Sequence, residues 1–146
     1  MTGSFAVGTD IVSVPRVAGL LAGGGEAFRR RWFTDREIAY CESKAQPGRH
    51  YAARMAAKEA VAKALEWEWD GPVIWRCIEI GHNARGAAQA ELSGPVLELA
   101  RAAGMRELRV SLSHCDEYAT AVAILHCDPG AVEPEAVEPE AVEPDG

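Results

Sequence analysis

The sequence predicts an α+β fold in which mainly antiparallel strands pack on one long central helix. Three stretches carry this prediction. Residues 49–66 are alanine-rich and place Arg54, Lys58, Glu59 and Lys63 at helical intervals. Residues 5–14 are apolar and rich in β-branched side chains, as in a buried strand. Residues 107–114 and 118–127 read as a hairpin with its polar turn at His114 to Glu117.

The remaining elements follow in order. Pro15 suits the first turn of a helix after the opening strand, and Gly23-Gly24-Gly25 breaks that helix. A short segment, Glu26 to Trp32, carries Arg29, Arg30 and Arg31. Thr34 and Glu37 form a capping box, so a helix should run from Asp35 to about Ser43. Gln46-Pro47-Gly48 reads as a loop, and the long helix should begin at Arg49 and reach about Glu66. Its alanines permit close approach of strands or another helix. Trp67 to Pro72 reads as a turn, 73–81 as a strand, 82–86 as a turn and 87–92 as a weak strand. Ser93-Gly94-Pro95 should open a helix that Gly104 closes.

A chain of 146 residues fits one domain with a real core, here residues 1–127. Residues 128–146 are different. They repeat Ala-Val-Glu-Pro, hold seven acids and no Lys or Arg, and offer little apolar bulk to offset ordering entropy, so they are expected to be disordered. Their acids account for the formal net charge of −7; the rest of the chain has 22 − 7 = 15 acids against 15 bases. Residues 1–64 are locally basic, with ten Lys/Arg against six Asp/Glu. That balance suits an acidic partner and a polyphosphate, and no nucleic-acid motif is present. The four cysteines show no metal or Cys-x-x-Cys spacing, no signal peptide is expected because the opening residues lack a basic start and a long apolar run, and no stretch is long enough to span a bilayer. A reduced, cytoplasmic protein is expected.

Three cations around one carboxylate on a single helix suit a polyphosphate held with a divalent metal. A solvated helix face is the alternative: Arg54 and Lys58, like Glu59 and Lys63, lie one turn apart, and the second pair is spaced for an i,i+4 salt bridge. Asp10 sits in the opening strand, where a buried charge needs a partner or a metal; capping a turn or pairing with Arg16 would serve equally.

Four blocks occur in fixed order: Gly8-Thr9-Asp10-Ile11-Val12, Phe33-Thr34-Asp35-Arg36-Glu37-Ile38-Ala39-Tyr40-Cys41, Arg54-Met55-Ala56-Ala57-Lys58-Glu59-Ala60 with Lys63, and Val110-Ser111-Leu112-Ser113-His114. Together they resemble the acyl-carrier-protein synthase type of 4'-phosphopantetheinyl transferase, over roughly residues 5–127. The resemblance implies that family's α+β fold and its reaction. The phosphopantetheine arm of coenzyme A moves to a serine of an apo acyl carrier protein, with Mg²⁺, releasing adenosine 3',5'-bisphosphate. Asp10 and Glu59 match the family's metal-ligating acids, and Lys63 its pyrophosphate-binding lysine. Arg54 and Lys58 fall on residues expected to contact coenzyme A phosphates, though either could be structural. His114 is placed near the coenzyme A. The serine's proton could go to Glu59, His114 or a metal-held water. Arg16 matches an arginine that docks the small acidic carrier; Arg29, Arg30 and Arg31 lie in the same region without individual counterparts.

The family's homotrimeric assembly would let His114 of one chain serve Asp10 and Glu59 of the next. Some positions depart from the pattern: Ala6 stands for a common glycine, Ser13 for a frequent glutamate and Met55 for phenylalanine, while Trp67 and Trp69 replace a glycine-rich loop. A polyketide or peptide-synthase carrier, a non-catalytic carrier-binding homologue, and a generic Mg²⁺-phosphate enzyme are the rival readings.

Overall fold

The computed structural model describes residues 3–66 and 74–129. The elements are β1 (Ser4–Ser13), α1 (Val14–Trp32), α2 (Asp35–Glu42), α3 (Pro47–Ala64), a 3₁₀ turn (Trp75–Cys77), β2 (Ile78–His82), β3 (Ala88–Leu92), α4 (Gly94–Ala102), β4 (Met105–His114) and β5 (Tyr118–Cys127). Strands β1, β5 and β4 form an antiparallel sheet in that order, and β2 pairs with β3 in a second, two-stranded sheet. The turn expected at Trp67 to Pro72, with Trp67 and Trp69, and the tail from residue 130 lie outside the described residues.

α3 lies across the inner face of the large sheet, and small side chains on both sides decide how closely. Ala52, Ala53, Ala56, Ala57, Ala60 and Ala64 of the helix are all buried, as are Ala119, Ala121 and Ala123 of β5. At Gly8 of β1 the approach reaches the backbone. A Cβ built there would stand 1.8 Å from the Ala60 carbonyl oxygen and 2.7 Å from the Ala64 nitrogen. Residues 51–58 are buried without interruption, so α3 is enclosed on every side at its centre. Ile78 and Ile80 of β2 and Val96 and Ala100 of α4 complete one core around its C-terminal half. Val14, Val17 and Leu21 of α1, with Phe33 and Tyr51, pack around its N-terminal half.

Local chemistry accounts for most boundaries. Ser13 caps α1, its Oγ accepting from the Arg16 amide at 3.3 Å, and the expected glycine break falls at Gly25 (φ 54°, ψ −142°). The Thr34–Glu37 capping box forms as expected. Several boundaries differ from expectation by a residue or two, β4 beginning at Met105 instead of 107 and α3 ending at Ala64, and two further differences have a local cause. α3 begins at Pro47 instead of Arg49, because a proline in the first helical turn costs no hydrogen bond. The strand expected over 73–81 reduces to Ile78–His82, preceded by the 3₁₀ turn. There the Trp75 carbonyl bonds the Lys58 ammonium at 3.0 Å instead of a strand neighbour.

Gly8→Ala should force β1 and α3 apart and cost about 3 kcal/mol or more. The measurement is the urea unfolding midpoint, which should fall well below that of the parent.

Candidate functional site

The close contact at Gly8 sets β1 against the outer half of α3. Asp10, two residues on along the same strand face, therefore meets Glu59 and Lys63 one turn apart on the helix. The Lys63 ammonium donates to Asp10 Oδ1 at 3.2 Å and to the Thr9 carbonyl at 2.9 Å. Asp10 is 12 % exposed, while Lys63 is 58 % exposed and opens the cluster to solvent. Asp10 Oδ2 is buried and has no hydrogen-bond partner. Burial, with the adjoining Asp10 carboxyl, pushes the Glu59 carboxyl up to about 7, against the pull of Lys63 and Arg16. Two carboxylates cannot donate to each other once both are ionised.

An orphaned oxygen beside a second carboxylate fits a hard divalent cation. Asp10 and Glu59 are the residues that could hold it. Among the described residues no group of three or more His, Cys, Asp or Glu gathers at one point. Two acids, with the remaining positions left to water and substrate oxygens, suit Mg²⁺ better than a fully protein-caged ion.

A second cluster lies elsewhere around α3. Arg54 and Glu59 are five residues apart, roughly 140° around the helix. Arg54 opens into a cavity of about 390 Å³ lined by Tyr40, His50, His82, Ser111 and His114, among others. Asp10, Glu59 and Lys63 are not part of its wall. Arg54 is only 2 % exposed, its guanidinium stacks 4.1 Å from the Tyr40 ring centroid, and its Nε has no partner. The His50 and His114 rings meet edge-on at 5.4 Å.

The structure thus brings together Asp10, Glu59 and Lys63 as one set and Arg54 and His114 as another, but within a single chain it does not join the two. Arg16 is exposed at the start of α1, near enough to Glu59 to act on its charge. Arg29 pairs with Glu42 and Arg30 with Glu26.

The phosphate-contact expectation for Lys58 is corrected. Its side chain is fully buried, pairs with the equally buried Glu37 at 2.7 Å, and donates to the Trp75 and Ile78 carbonyls. Burial lowers the ammonium's pKa while Glu37 opposes that shift. With three donors and three acceptors the group is saturated. It ties α2 and β2 to α3, and it is neither a ligand nor the surface salt bridge that helical spacing suggests.

Tyr40, His50 and His82 escaped the sequence reading. His50 lies four residues before Arg54, so the helical period could have placed both on one face. His82 looked like part of a turn, and only the sheet pairing of β2 brings it to the cavity.

Three kinds of comparison agree. Residues 6–123 match the family described as the 4'-phosphopantetheinyl transferase superfamily. The holo-[acyl-carrier-protein] synthase of Koribacter versatilis is 40 % identical over 121 residues, covering 83 % of this chain and 97 % of that protein. The corresponding protein of Ruminiclostridium cellulolyticum is 42 % identical over 120 residues, covering 82 % and 90 %. Among solved structures, the holo-[acyl-carrier-protein] synthase of Neisseria meningitidis superposes with a TM-score of 0.73 at 34 % identity, covering 82 % of this chain and 96 % of that one. An ACPS–CoA complex from Chronobacterium ammoniagenes gives 0.74 at 30 %, covering 86 % and 98 %.

The raised Glu59 carboxyl carries a pH signature. Its proton is held more tightly in the folded than in the unfolded chain. The stability this contributes is complete below the ordinary glutamate range and is lost as pH rises through about 7. Glu59→Gln should therefore raise the melting temperature of the metal-free protein at pH 8 but not at pH 4.5. Allowing for solvent screening, the gain is about 1 kcal/mol. Saturating Mg²⁺ should stabilise the parent at pH 8 more than the variant, as read by calorimetry.

Proposed function

The chain belongs to the 4'-phosphopantetheinyl transferase superfamily, and from that membership we infer that its reaction is that of a holo-[acyl-carrier-protein] synthase. It moves the phosphopantetheine arm of coenzyme A onto a serine hydroxyl of an apo acyl carrier protein and releases adenosine 3',5'-bisphosphate. An oxygen attacks phosphorus and a pyrophosphate bond breaks. Such a transfer needs alignment and charge neutralisation more than covalent help. The observation that carries the reading is the convergence of Asp10, Glu59 and Lys63 from β1 and α3 on one solvent-facing point.

Asp10 and Glu59 hold Mg²⁺. When bound, that ion supplies charge neutralisation at the phosphate oxygens. Lys63, the exposed member of the set, reaches a pyrophosphate oxygen. Arg54 and His114 bind another part of coenzyme A. Arg16, exposed beside this site, contacts the acidic carrier. Residues 1–127 are the transferase domain and 128–146 an acidic appendage. No described helix is long and apolar enough to cross a membrane, in keeping with work in the cytoplasm on small soluble partners.

Two features support a homotrimer with sites shared between subunits. One is the separation of the two residue sets within one chain. The other is the outer face of the large sheet. Phe5, Val7 and Ile11 on β1 are 64–72 % exposed, beside Val122 and Ile124 on β5 at 39 % and 45 %. That apolar face is large enough to call for a protein partner. In this reading a second copy covers that face, and Arg54 and His114 of one chain serve Asp10 and Glu59 of the next.

Incubating an apo carrier with coenzyme A, Mg²⁺ and the protein should add one phosphopantetheine mass. Asp10→Ala should slow this about a thousandfold, the loss of roughly 4 kcal/mol of charge stabilisation. An unmodified carrier under these conditions would end the reading. Ile11→Glu should yield monomers by light scattering and abolish transfer while the chain remains folded by circular dichroism.

A further inference from the structure

Helix α1 is two segments joined at Gly25, whose backbone (φ 54°, ψ −142°) lies in a region that only glycine adopts at low cost. Val14, Val17 and Leu21 bury the first segment, and Phe28 and Trp32 of the second pack against the same core. Both segments are seated, but the break leaves the angle between them to side chains.

One side chain spans it. Arg29 Nη1 donates to the Leu21 carbonyl at 3.4 Å, across Gly25, where the last turn before a break leaves carbonyls without helical partners. Arg29 Nε donates to Glu42 Oε1 of α2 at 3.1 Å. The same oxygen accepts from the Tyr51 hydroxyl of α3 at 2.8 Å. The Arg29 guanidinium carbon lies 5.8 Å from the Tyr51 ring centroid. Tyr51 is fully buried, so it holds Glu42 from the core side. Burial first, then Glu42, pushes the Tyr51 hydroxyl well above its ordinary range, which keeps it a donor. One carboxylate oxygen thus ties α1, α2 and α3 together.

The neighbouring arginines have other surroundings. Arg30 pairs on the surface with Glu26, one turn back. Arg31 in the second segment and Arg16 in the first are exposed, and neither has an ion-pair partner among the described residues. Two open cations therefore flank the break, one on each segment.

We propose that Arg29 is a positioning residue for the carrier: through Glu42, Tyr51 and the Leu21 carbonyl it sets the angle at which Arg16 and Arg31 engage one acidic protein together. The inference rests on the transferase reading, in which α1 meets the acyl carrier protein. Residues 26–32 form a lever about 10 Å long, so a swing of about 30° at Gly25 displaces Arg31 by about 5 Å. That is enough to undo a charge-assisted bond. The Arg29–Glu42 pair is partly solvated, and such pairs add little to global stability. Loss of the brace should therefore show in carrier recognition while the fold persists.

Initial rates of carrier modification, with carrier and coenzyme A varied separately, test this. Arg29→Gln should raise the KM for the carrier about tenfold, the equivalent of one charge-assisted contact, and leave the KM for coenzyme A, kcat and the melting temperature close to the parent's. Arg29→Lys, which keeps the charge but not the fork that reaches Glu42 and Leu21 together, should restore only part of the affinity. Arg31→Gln should weaken the carrier to a similar extent, and the double variant Arg29→Gln, Arg31→Gln should be no worse than either alone, because one residue acts through the other. Glu42→Gln separates positioning from direct contact. If Arg29 itself met the carrier, removing the adjoining acid would tighten binding; a brace that has lost its anchor weakens it. An unchanged carrier KM in Arg29→Gln, additive effects in the double variant, full rescue by lysine, a lower carrier KM in Glu42→Gln, or an equal rise in the KM for coenzyme A would each overturn the proposal. The parent's own activity is scored first by mass: no added phosphopantetheine sinks the transferase reading, whereas transfer by the parent with an unaltered Arg29→Gln sinks the brace alone.

Discussion

A side chain of zero size at position 8 governs much of the molecule. The Ala60 carbonyl occupies the space that any Cβ at Gly8 would need. Helix and strand backbones therefore meet directly, and the alanines above and below continue the contact. Close packing of this kind maximises dispersion contacts while fixing distance, because neither backbone can yield. Asp10 follows from that constraint. A strand held a few ångströms further out would leave its carboxylate short of Glu59 and Lys63.

The second fixed point is the Lys58–Glu37 pair. Burying both charges is expensive, and the expense is tolerable only because every ammonium proton has an acceptor. Glu37 has two further roles, since it also closes the capping box of α2 and accepts from the Ile80 amide at 3.1 Å. One salt bridge thereby locks α2, α3 and β2 together. The cavity between these elements owes its shape to that lock, and Arg54, one turn before Lys58, is aimed into the cavity by it. Two adjacent cations on one helix thus have opposite fates. One has its counter-ion inside the fold, and the other lacks one until a ligand arrives.

Electrostatic incompleteness recurs at both clusters with opposite sign. Around Asp10 and Glu59 two carboxyls crowd together with one buried oxygen left without a partner, which calls for a cation. Around Arg54 the surplus is positive and calls for an anion. A metal-assisted phosphate transfer needs both, and the apolar outer face of the large sheet provides a means of bringing them together from two chains.

The α+β class, the order of the elements and the capping box were legible because each is written in local pattern: period, β-branching and turn chemistry over a few residues. The four motif blocks likewise carried the family, along with the candidate roles of Asp10, Glu59 and Lys63. The same helical spacing could not separate Lys58 from Arg54, since both are cations on an alanine-rich helix and nothing within a turn of either names its partner. Glu37 is 21 residues from Lys58, His82 is 28 from Arg54, and Asp10 is 49 from Glu59. The sequence by itself determined which charges exist and which elements carry them. Only the tertiary structure decided which charges are neutralised inside the fold and which are left facing a ligand. A side chain's electrostatic partner is set by proximity in space, and in this protein that proximity is imposed by backbone contact between a strand and a helix far apart in the chain.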